Sequence, residues 1–255
     1  MAKAPSKSST AVAHRRSTEV AKMNYGAVPQ NAGMENADRD SFAIPFLQVL
    51  QKMSPQLDRN DPDYKKGAKE GDIYNTANGE VYSGDEGVLL SPVTFKRTFT
   101  AWTIREKGGG FKGEYSPSDP LVMTTQRDDK NRSMLPDGIT QLVDTRLHAV
   151  ILYAGDVPTP ALLTSTPTQI KKSKRWMTQM QEVQTKDNLP TFAHIYRLTT
   201  IPEKNDRGSW MGWNLEYVEA VTDQEAIDAA VAFWNAMKLG TAKMTIDKSQ
   251  GGEEE

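Results

Sequence analysis

A two-residue turn signal indicates a β-hairpin in this chain. Asn78-Gly79 stands between the apolar pairs Ile73-Tyr74 and Val81-Tyr82 in the string GDIYNTANGEVY. Asn and Gly readily adopt the positive φ angles of a tight hairpin turn, and flanking apolar pairs are typical of paired strands. The segment therefore predicts an antiparallel β-hairpin, so part of the core must be built on a sheet.

A long strand and several shorter ones follow the hairpin. In GVLLSPVTFKRTFTAWTIRE, residues 87–106, the alternation predicts one face with Val93, Phe95 and Phe99. The other face is predicted to carry Lys96, Thr98, Thr100 and Trp102. Further strand patterns occupy residues 121–126, 142–153, 161–164, 192–201 and 209–218, and a short apolar helix is predicted over residues 46–50.

Two longer helices interrupt this β pattern. In TSTPTQIKKSKRWMTQM, Thr166, Pro167 and Gln169 fit the start of a Thr-x-x-Gln capping box. The apolar stripe of this helix is Ile170, Ser173, Met177 and Met180. A C-terminal helix is predicted to begin at a second capping box, made by Thr222 and Glu225. The sequence thus predicts a mainly β (α+β) fold, either an OB-like barrel or a strongly curved antiparallel sheet with an inserted basic helix and a C-terminal helix.

Composition divides the chain into three parts. Residues 1–40 are rich in small and basic residues without a sustained period, which predicts a flexible basic N-terminal arm. Residues 41–246 contain every predicted element and are predicted to form one OB-like domain. Residues 247–255 are predicted to be a flexible acidic tail, because a glycine pair precedes three glutamates.

Few residues are suited to catalysis. The 255 residues include no cysteine, and the histidines His14, His148 and His194 have no serine or carboxylate at a catalytic spacing. Residues 108–113 satisfy G-x-G-x-x-G, but the EYSPSDP that follows cannot open the helix of a dinucleotide site. The sequence predicts a protein without enzymatic activity, cofactor or metal. No apolar run approaches the ~20 residues of a membrane helix, so no membrane partner is expected.

Cationic and aromatic residues are neighbours on three separate elements, although the formal net charge is −2. Proteins that bind single strands combine such cations for phosphates with rings on which bases stack at ~1–3 kcal/mol each. The predicted phosphate contacts are Lys96, Arg97, Arg105, Lys112, Lys171, Lys172, Lys174, Arg175 and Arg197. The predicted stacking residues are Trp102, Phe111, Trp176 and Trp210.

The inserted helix carries the densest of these clusters. Its four cations meet no acid within the helix before Glu182, and Lys172 lies one turn from Trp176, a spacing that permits a cation–π contact. They also fall in the first half of the helix, where the macrodipole is positive. A purely structural helix favours acids there, so this placement favours an anionic ligand such as nucleic acid.

Each cluster also has a structural interpretation. Tryptophans and phenylalanines in strands more often pack in a core, and lysines on an outer face are usually solvated. A virion structural or decoration protein without DNA binding would explain the β-rich pattern as well. A nuclease would need metal-binding carboxylates, and the acid clusters lie in loop patterns. The sequence favours single-stranded DNA binding and leaves these alternatives open.

Five strings carry a family resemblance over residues 42–215. They are IPFLQVLQKMSPQ, GAKEGDIYNTANGEVYSGDEGVLLSPV, AWTIREKGGGFKG, LTSTPTQIKKSKRWMTQM and FAHIYRLTTIPEKNDRGSWMGW. They resemble a tailed-bacteriophage single-stranded DNA-binding protein-like family. The resemblance implies an OB-like barrel and a role in phage DNA replication or recombination, in the cytoplasm of the infected bacterial host.

The resemblance also bears on partners. It implies single-stranded DNA as the ligand, and phage or host replication proteins as partners of the acidic tail. The chain ends in GGEEE without the hydrophobic-Pro-Phe tip of bacterial single-strand binding proteins, which puts docking to host proteins in doubt. Self-association into a homo-oligomer is left open.

Overall fold

The computed structural model describes residues 32–36, 43–206 and 208–246. The chain divides into two compact units, Met1–Ser41 and Phe42–Glu255. In the first unit, residues 32–36 form turns. The predicted tail and most of the predicted arm lie outside the described residues.

The second unit contains eleven described strands and two described α-helices. The strands are β1 (Phe46–Val49), β2 (Ile73–Asn75), β3 (Val81–Tyr82), β4 (Val88–Thr103), β5 (Phe111–Tyr115), β6 (Gln126–Arg127), β7 (Ser133–Met134), β8 (Thr140–Leu152), β9 (Thr159–Ser165), β10 (His194–Asn205) and β11 (Gly208–Ala220). The helices are α1 (Ile170–Asp187) and α2 (Gln224–Lys238).

All of these strands belong to one sheet that curls into a half-barrel. The main path runs β11-β10-β4-β8-β9-β1-β2-β3, with β5 on β4 and β6-β7 on β8. The long β4 pairs with β8 along most of its length, with β10 at its start and with β5 at its end. The β1–β9 pair is parallel, so the sheet is mixed. The predicted mainly β, strongly curved sheet with two helices is confirmed.

The hairpin forms at the predicted position, with Ile73 opposite Tyr82 and Tyr74 opposite Val81. Gly79 has a φ of 72°, which is the conformation that favours glycine at this turn. The predicted helix over residues 46–50 is wrong, because this segment is β1. It pairs with β2 on one side and with β9 on the other, so tertiary pairing overrides the local pattern.

Two further strand predictions need correction. Residues 121–126 lie mostly in a 3-10 turn, Pro120–Thr124, whose N-cap Asp119 accepts a hydrogen bond from the Leu121 N–H at 2.9 Å. In β4, a bulge between Pro92 and Thr94 shifts the alternation. As a result Val93 and Phe95 do not share a face as predicted. Val93 packs in the cluster that contains Ile151, whereas the ring of Phe95 lies 4.9 Å from the His148 ring.

Each face of the sheet carries one helix. The concave core includes Val150 and Leu152 of β8 and is filled by Trp176 and Met180 of α1. The alternate residues of β8, among them Ile151, pack on the convex side against α2. Because successive side chains of a strand point to opposite faces, α1 and α2 lie on opposite sides of the sheet.

Backbone contacts bridge the open side of the half-barrel. The Thr200 N–H donates to the Gly84 carbonyl at 2.9 Å, and its hydroxyl donates to the Gly71 carbonyl at 2.6 Å. A Cβ at Gly84 would lie 1.9 Å from the Gly71 carbonyl oxygen. Glycine therefore permits the loops around β2 and β3 to reach β10.

Both helices begin differently from their predicted capping boxes. A 3-10 turn, Pro167–Gln169, precedes α1, and the Thr166 side chain makes no capping bond. Gln169 instead accepts a hydrogen bond from the Trp213 N–H of β11 at 3.1 Å. For α2 the N-cap is Asp223, which accepts from the Glu225 N–H at 3.0 Å. Both boxes were wrong because the side-chain partners differ, although both helices are present.

Candidate nucleic-acid interface

A groove of about 720 Å³ opens on the convex side of the sheet. It lies between β4 and β5 on one side and the C-terminal end of α2 with the segment that follows it on the other. Its lining residues are Thr94, Lys96, Phe111, Glu114, Trp234, Met237, Lys238, Gly240, Ala242, Lys243, Met244, Thr245 and Ile246. Three of these are lysines and two are aromatic, so the groove combines positive charge with ring surfaces.

The α2 side of the groove holds an exposed ring beside a cation. Trp234 is 38% exposed, and the Lys238 Nζ lies 4.9 Å from the centroid of its ring. The two residues are one helical turn apart, which brings their side chains onto one face of α2. Lys243 follows in the segment after the helix and is also exposed.

The opposite side of the groove is built by the end of β4 and by β5. Phe111 packs edge-on against Trp102, with ring centroids 5.2 Å apart. Trp102 is buried, and its indole N–H donates to the Thr100 hydroxyl at 2.9 Å. Lys96 forms an ion pair with Glu114. Trp102 thus supports the wall of the groove, while Phe111 and Lys96 reach the groove itself.

The predicted cluster on the inserted helix is divided by its packing. Lys171, Lys174 and Arg175 are exposed and form no ion pair with another described residue. Lys172 forms an ion pair with Glu203 of β10 at 2.6 Å. This pairing replaces the predicted contact between Lys172 and the tryptophan.

Trp176 is a core residue of the half-barrel. It is 2% exposed, and its ring lies 4.7 Å from the His148 ring and 5.7 Å from the Tyr196 ring. A base cannot stack on a ring whose surroundings are filled by other side chains. Trp176 therefore stabilises the position of α1 and is not part of the interface in this structure.

The other sequence-predicted residues are spread over the surface. Arg97 binds Asp144 through two hydrogen bonds of 3.0 and 2.7 Å, and Lys112 donates to the Thr140 hydroxyl at 2.6 Å. Arg105 is exposed in a 3-10 turn, Arg105–Lys107. On the β10–β11 ribbon, Arg197 donates to the Glu86 carbonyl at 3.1 Å, and Trp210 is half-buried.

The structure brings together only part of the predicted set. Lys96 and Phe111 share the groove, whereas α1 lies on the opposite side of the sheet and fills the concave face. The residues predicted from the sequence therefore do not all line one groove. Trp234, Lys238 and Lys243 line the groove but are not among the residues predicted from the sequence. For Trp234 and Lys238, the available signal was the pairing of a tryptophan with a lysine four residues later in FWNAMK.

Two observations bear on other classes of site. Among the residues that the structure describes, no group of three or more histidine and acidic side chains is placed to hold a metal ion. None of the described helices is long and apolar enough to cross a membrane.

The buried His148, whose Nε2 lies 2.9 Å from the Ser173 hydroxyl, has its pKa lowered to about 3 by burial and by the nearby Arg146.

Comparison with known families now adds one finding. Residues 13–243 match the family described as Pam3 phage gp34-like protein. The chain belongs to this family. The matched residues include all the described strands and both helices. The expected phage association is confirmed at the level of a phage protein family. No curated protein and no solved structure matches the chain.

Proposed function

We propose that this member of the Pam3 phage gp34-like family binds single-stranded DNA in the convex groove, without cleaving it. One observation carries the proposal: three lysines and two aromatic side chains from three different segments converge on one groove. Cations that hold phosphates beside rings that stack on bases are the two components of single-strand recognition.

The dimensions and lining of the groove support this ligand. Its volume of about 720 Å³ lies within the roughly 300–1,000 Å³ of typical small-ligand sites, so it accommodates bases with their sugars. Met237 and Met244 supply apolar surface between the rings and the lysines. The bases of a duplex are already paired and stacked, so the rings of the groove favour an unpaired strand.

Charge inside the groove sets the expected salt dependence. Lys96 is paired with Glu114, so DNA must compete with a carboxylate for this lysine. Lys238 and Lys243 are exposed and free of ion pairs with other described residues. We therefore expect these two lysines to contribute most of the phosphate attraction, and binding to weaken as salt rises.

The proposal is tested by titrating labelled oligo-dT and a duplex of equal length at two salt concentrations. The wild type is compared with Lys238→Gln/Lys243→Gln and with a control of equal charge change, Lys52→Gln/Lys66→Gln, at exposed positions outside the groove. We expect oligo-dT to bind more tightly than duplex, and the groove variant to bind about tenfold more weakly than the control. Equal affinities of the two variants, or absence of binding at low salt, would refute the proposal.

The same titration addresses strand cleavage. Added magnesium is expected to leave the oligonucleotide intact, and shortened products would show that the protein is a nuclease.

For the phage, we propose a role in DNA replication or recombination in the cytoplasm of the infected bacterium, where single strands arise. We also propose phage or host replication proteins as partners of the acidic tail.

A further inference from the structure

Arg146 of β8 is a buried cation without an adequate partner. It is 8% exposed, and its Nε has no hydrogen-bond partner among the described residues. The carboxylate it approaches is Asp144, with Oδ1 4.0 Å from Nε. Asp144 already binds Arg97 through both of its oxygens, so one negative charge lies beside two guanidinium groups.

Such an arrangement is unfavourable unless an anion completes it. A guanidinium stays protonated in a protein interior and offers five N–H donors. Burial removes the water that would satisfy the Nε–H of Arg146, and a buried donor without a partner destabilises the fold. The structure therefore leaves a place in which a negatively charged ligand would be stabilised.

Arg146 lies beside the first turn of α1. Its partner across the sheet is Ser165, the last residue of β9 before the chain turns into α1. Two residues further along β8, His148 approaches the Ser173 hydroxyl of that first turn at 2.9 Å. Because alternate residues of a strand share a face, Arg146 and His148 both point to the side occupied by α1.

The start of α1 adds to the positive potential. Its first turn contains no acidic residue, and no side chain caps either α1 or the 3-10 turn before it. The N–H of Ile170 bonds to the Pro167 carbonyl, so the attraction of this end for an anion comes from the helix macrodipole. Lys172 and Lys174 are about 200° apart around the helix. Lys172 binds Glu203 of β10, and Lys174 is exposed on the opposite flank of the helix.

We propose that Arg146, with Arg97, Lys174 and the first turn of α1, forms a binding site for a phosphoryl group. The ligand is either a phosphate of a nucleic-acid backbone or a free phosphate or pyrophosphate. Tetrahedral oxyanions suit the planar donors of arginine and the positive end of a helix macrodipole. The site uses residues on the concave side of the sheet and none that line the groove, so it does not depend on the proposed function of the groove.

The test measures thermal stabilisation by pyrophosphate against chloride at equal ionic strength. The variants are Arg146→Gln, Lys174→Gln and Asp144→Asn. The control is Arg59→Gln, at an exposed arginine distant in sequence from the proposed site. We expect pyrophosphate to raise the melting temperature of the wild type and the control. It should bind about tenfold more weakly to Arg146→Gln, because charge-assisted hydrogen bonds are lost. Lys174→Gln should weaken it less.

Asp144→Asn keeps the proposal falsifiable if Arg146→Gln does not fold. Loss of the competing carboxylate is expected to tighten pyrophosphate binding, whereas a purely structural role of the cluster predicts no gain. A wild type that pyrophosphate stabilises no more than chloride does, or an Asp144→Asn variant with weaker binding, would overturn the proposal.

Measuring the affinity of Arg146→Gln for oligo-dT distinguishes the two sources of the phosphoryl group. If Arg146→Gln loses both ligands, the site holds a backbone phosphate. If it loses pyrophosphate alone, the site serves a free phosphate. The groove variant Lys238→Gln/Lys243→Gln is expected to keep its pyrophosphate response, so failure of the groove and failure of this site are distinguishable.

Discussion

At the scale of single residues, His148 is a buried group whose protonation is opposed by its surroundings. It is fully enclosed between Phe95, Trp176 and Ser173, and no carboxylate bonds to it in the described structure. Burial first, and the Arg146 charge second, lower its pKa to about 3. The histidine is therefore neutral in the folded protein throughout the physiological range.

A pH dependence follows from this shift. The folded pKa of about 3 lies below the unfolded value of about 6.5, so the unfolded chain binds the extra proton as pH falls. The contribution of His148 is full above about pH 6.5 and is lost progressively down to pH 3, with a slope approaching about 1.4 kcal/mol per pH unit. Urea unfolding at pH 7, 6 and 5 measures the slope.

A His148→Gln variant serves as the comparison, because it removes the titrating group at the same buried position. We expect its free energy of unfolding to fall less steeply than that of the wild type between pH 6 and 5. Unfolded carboxylates have pKa values of about 4, so they contribute little in that interval. Parallel slopes for the two proteins would show that His148 does not control the acid response.

At the scale of elements, α1 is held by specific contacts at its two ends. Gln169 is buried and accepts the Trp213 N–H at 3.1 Å. A Cβ at Gly212 would lie 3.0 Å from the Gln169 Nε2, so glycine leaves room for this side chain. At the other end, the Asp187 carboxylate lies 3.4 Å from the His194 Nε2 without forming a hydrogen bond, so this contact is weaker than the one at Gln169. The Gln169 contact therefore helps to fix α1 over the concave face of the sheet.

Gln169→Ala tests this anchoring. The substitution leaves the buried Trp213 N–H without its partner, at a cost of about 1–3 kcal/mol in the free energy of unfolding. The control is Gln181→Ala, an exposed glutamine of the same helix, for which we expect a change within about 0.5 kcal/mol. Urea denaturation followed by tryptophan fluorescence measures both, and equal stabilities would mean that the Gln169 contact does not hold α1 in place.

At the scale of the whole molecule, sequence patterns predicted the sheet better than the surfaces it presents. The Asn78-Gly79 hairpin, the long β4 and both helices were predictable, because turn chemistry and periodicity are local. The segment at 46–50 was wrong, because its strand conformation depends on pairing with residues about 115 positions away, as in Leu47 with Leu163.

The candidate interface was predictable only in part for the same reason. Lys96 and Phe111 were named from cation–aromatic neighbours along the chain. Their convergence with Trp234 and Lys238 depends on how α2 packs on the convex face, which no local pattern reports. Conversely, Trp176 resembled a stacking residue beside lysines, but the curvature of the sheet buries it. Burial of a side chain is a property of the assembled fold.

The central claim, that single-stranded DNA lies in the convex groove, is tested most directly by photo-crosslinking. Oligo-dT is irradiated with the wild-type protein, and the crosslinked peptides are identified by mass spectrometry. The account predicts crosslinks to the segments that carry Phe111 and Trp234, and their loss when unlabelled oligo-dT competes. Crosslinks confined to other segments, such as the exposed face of α1, would contradict it.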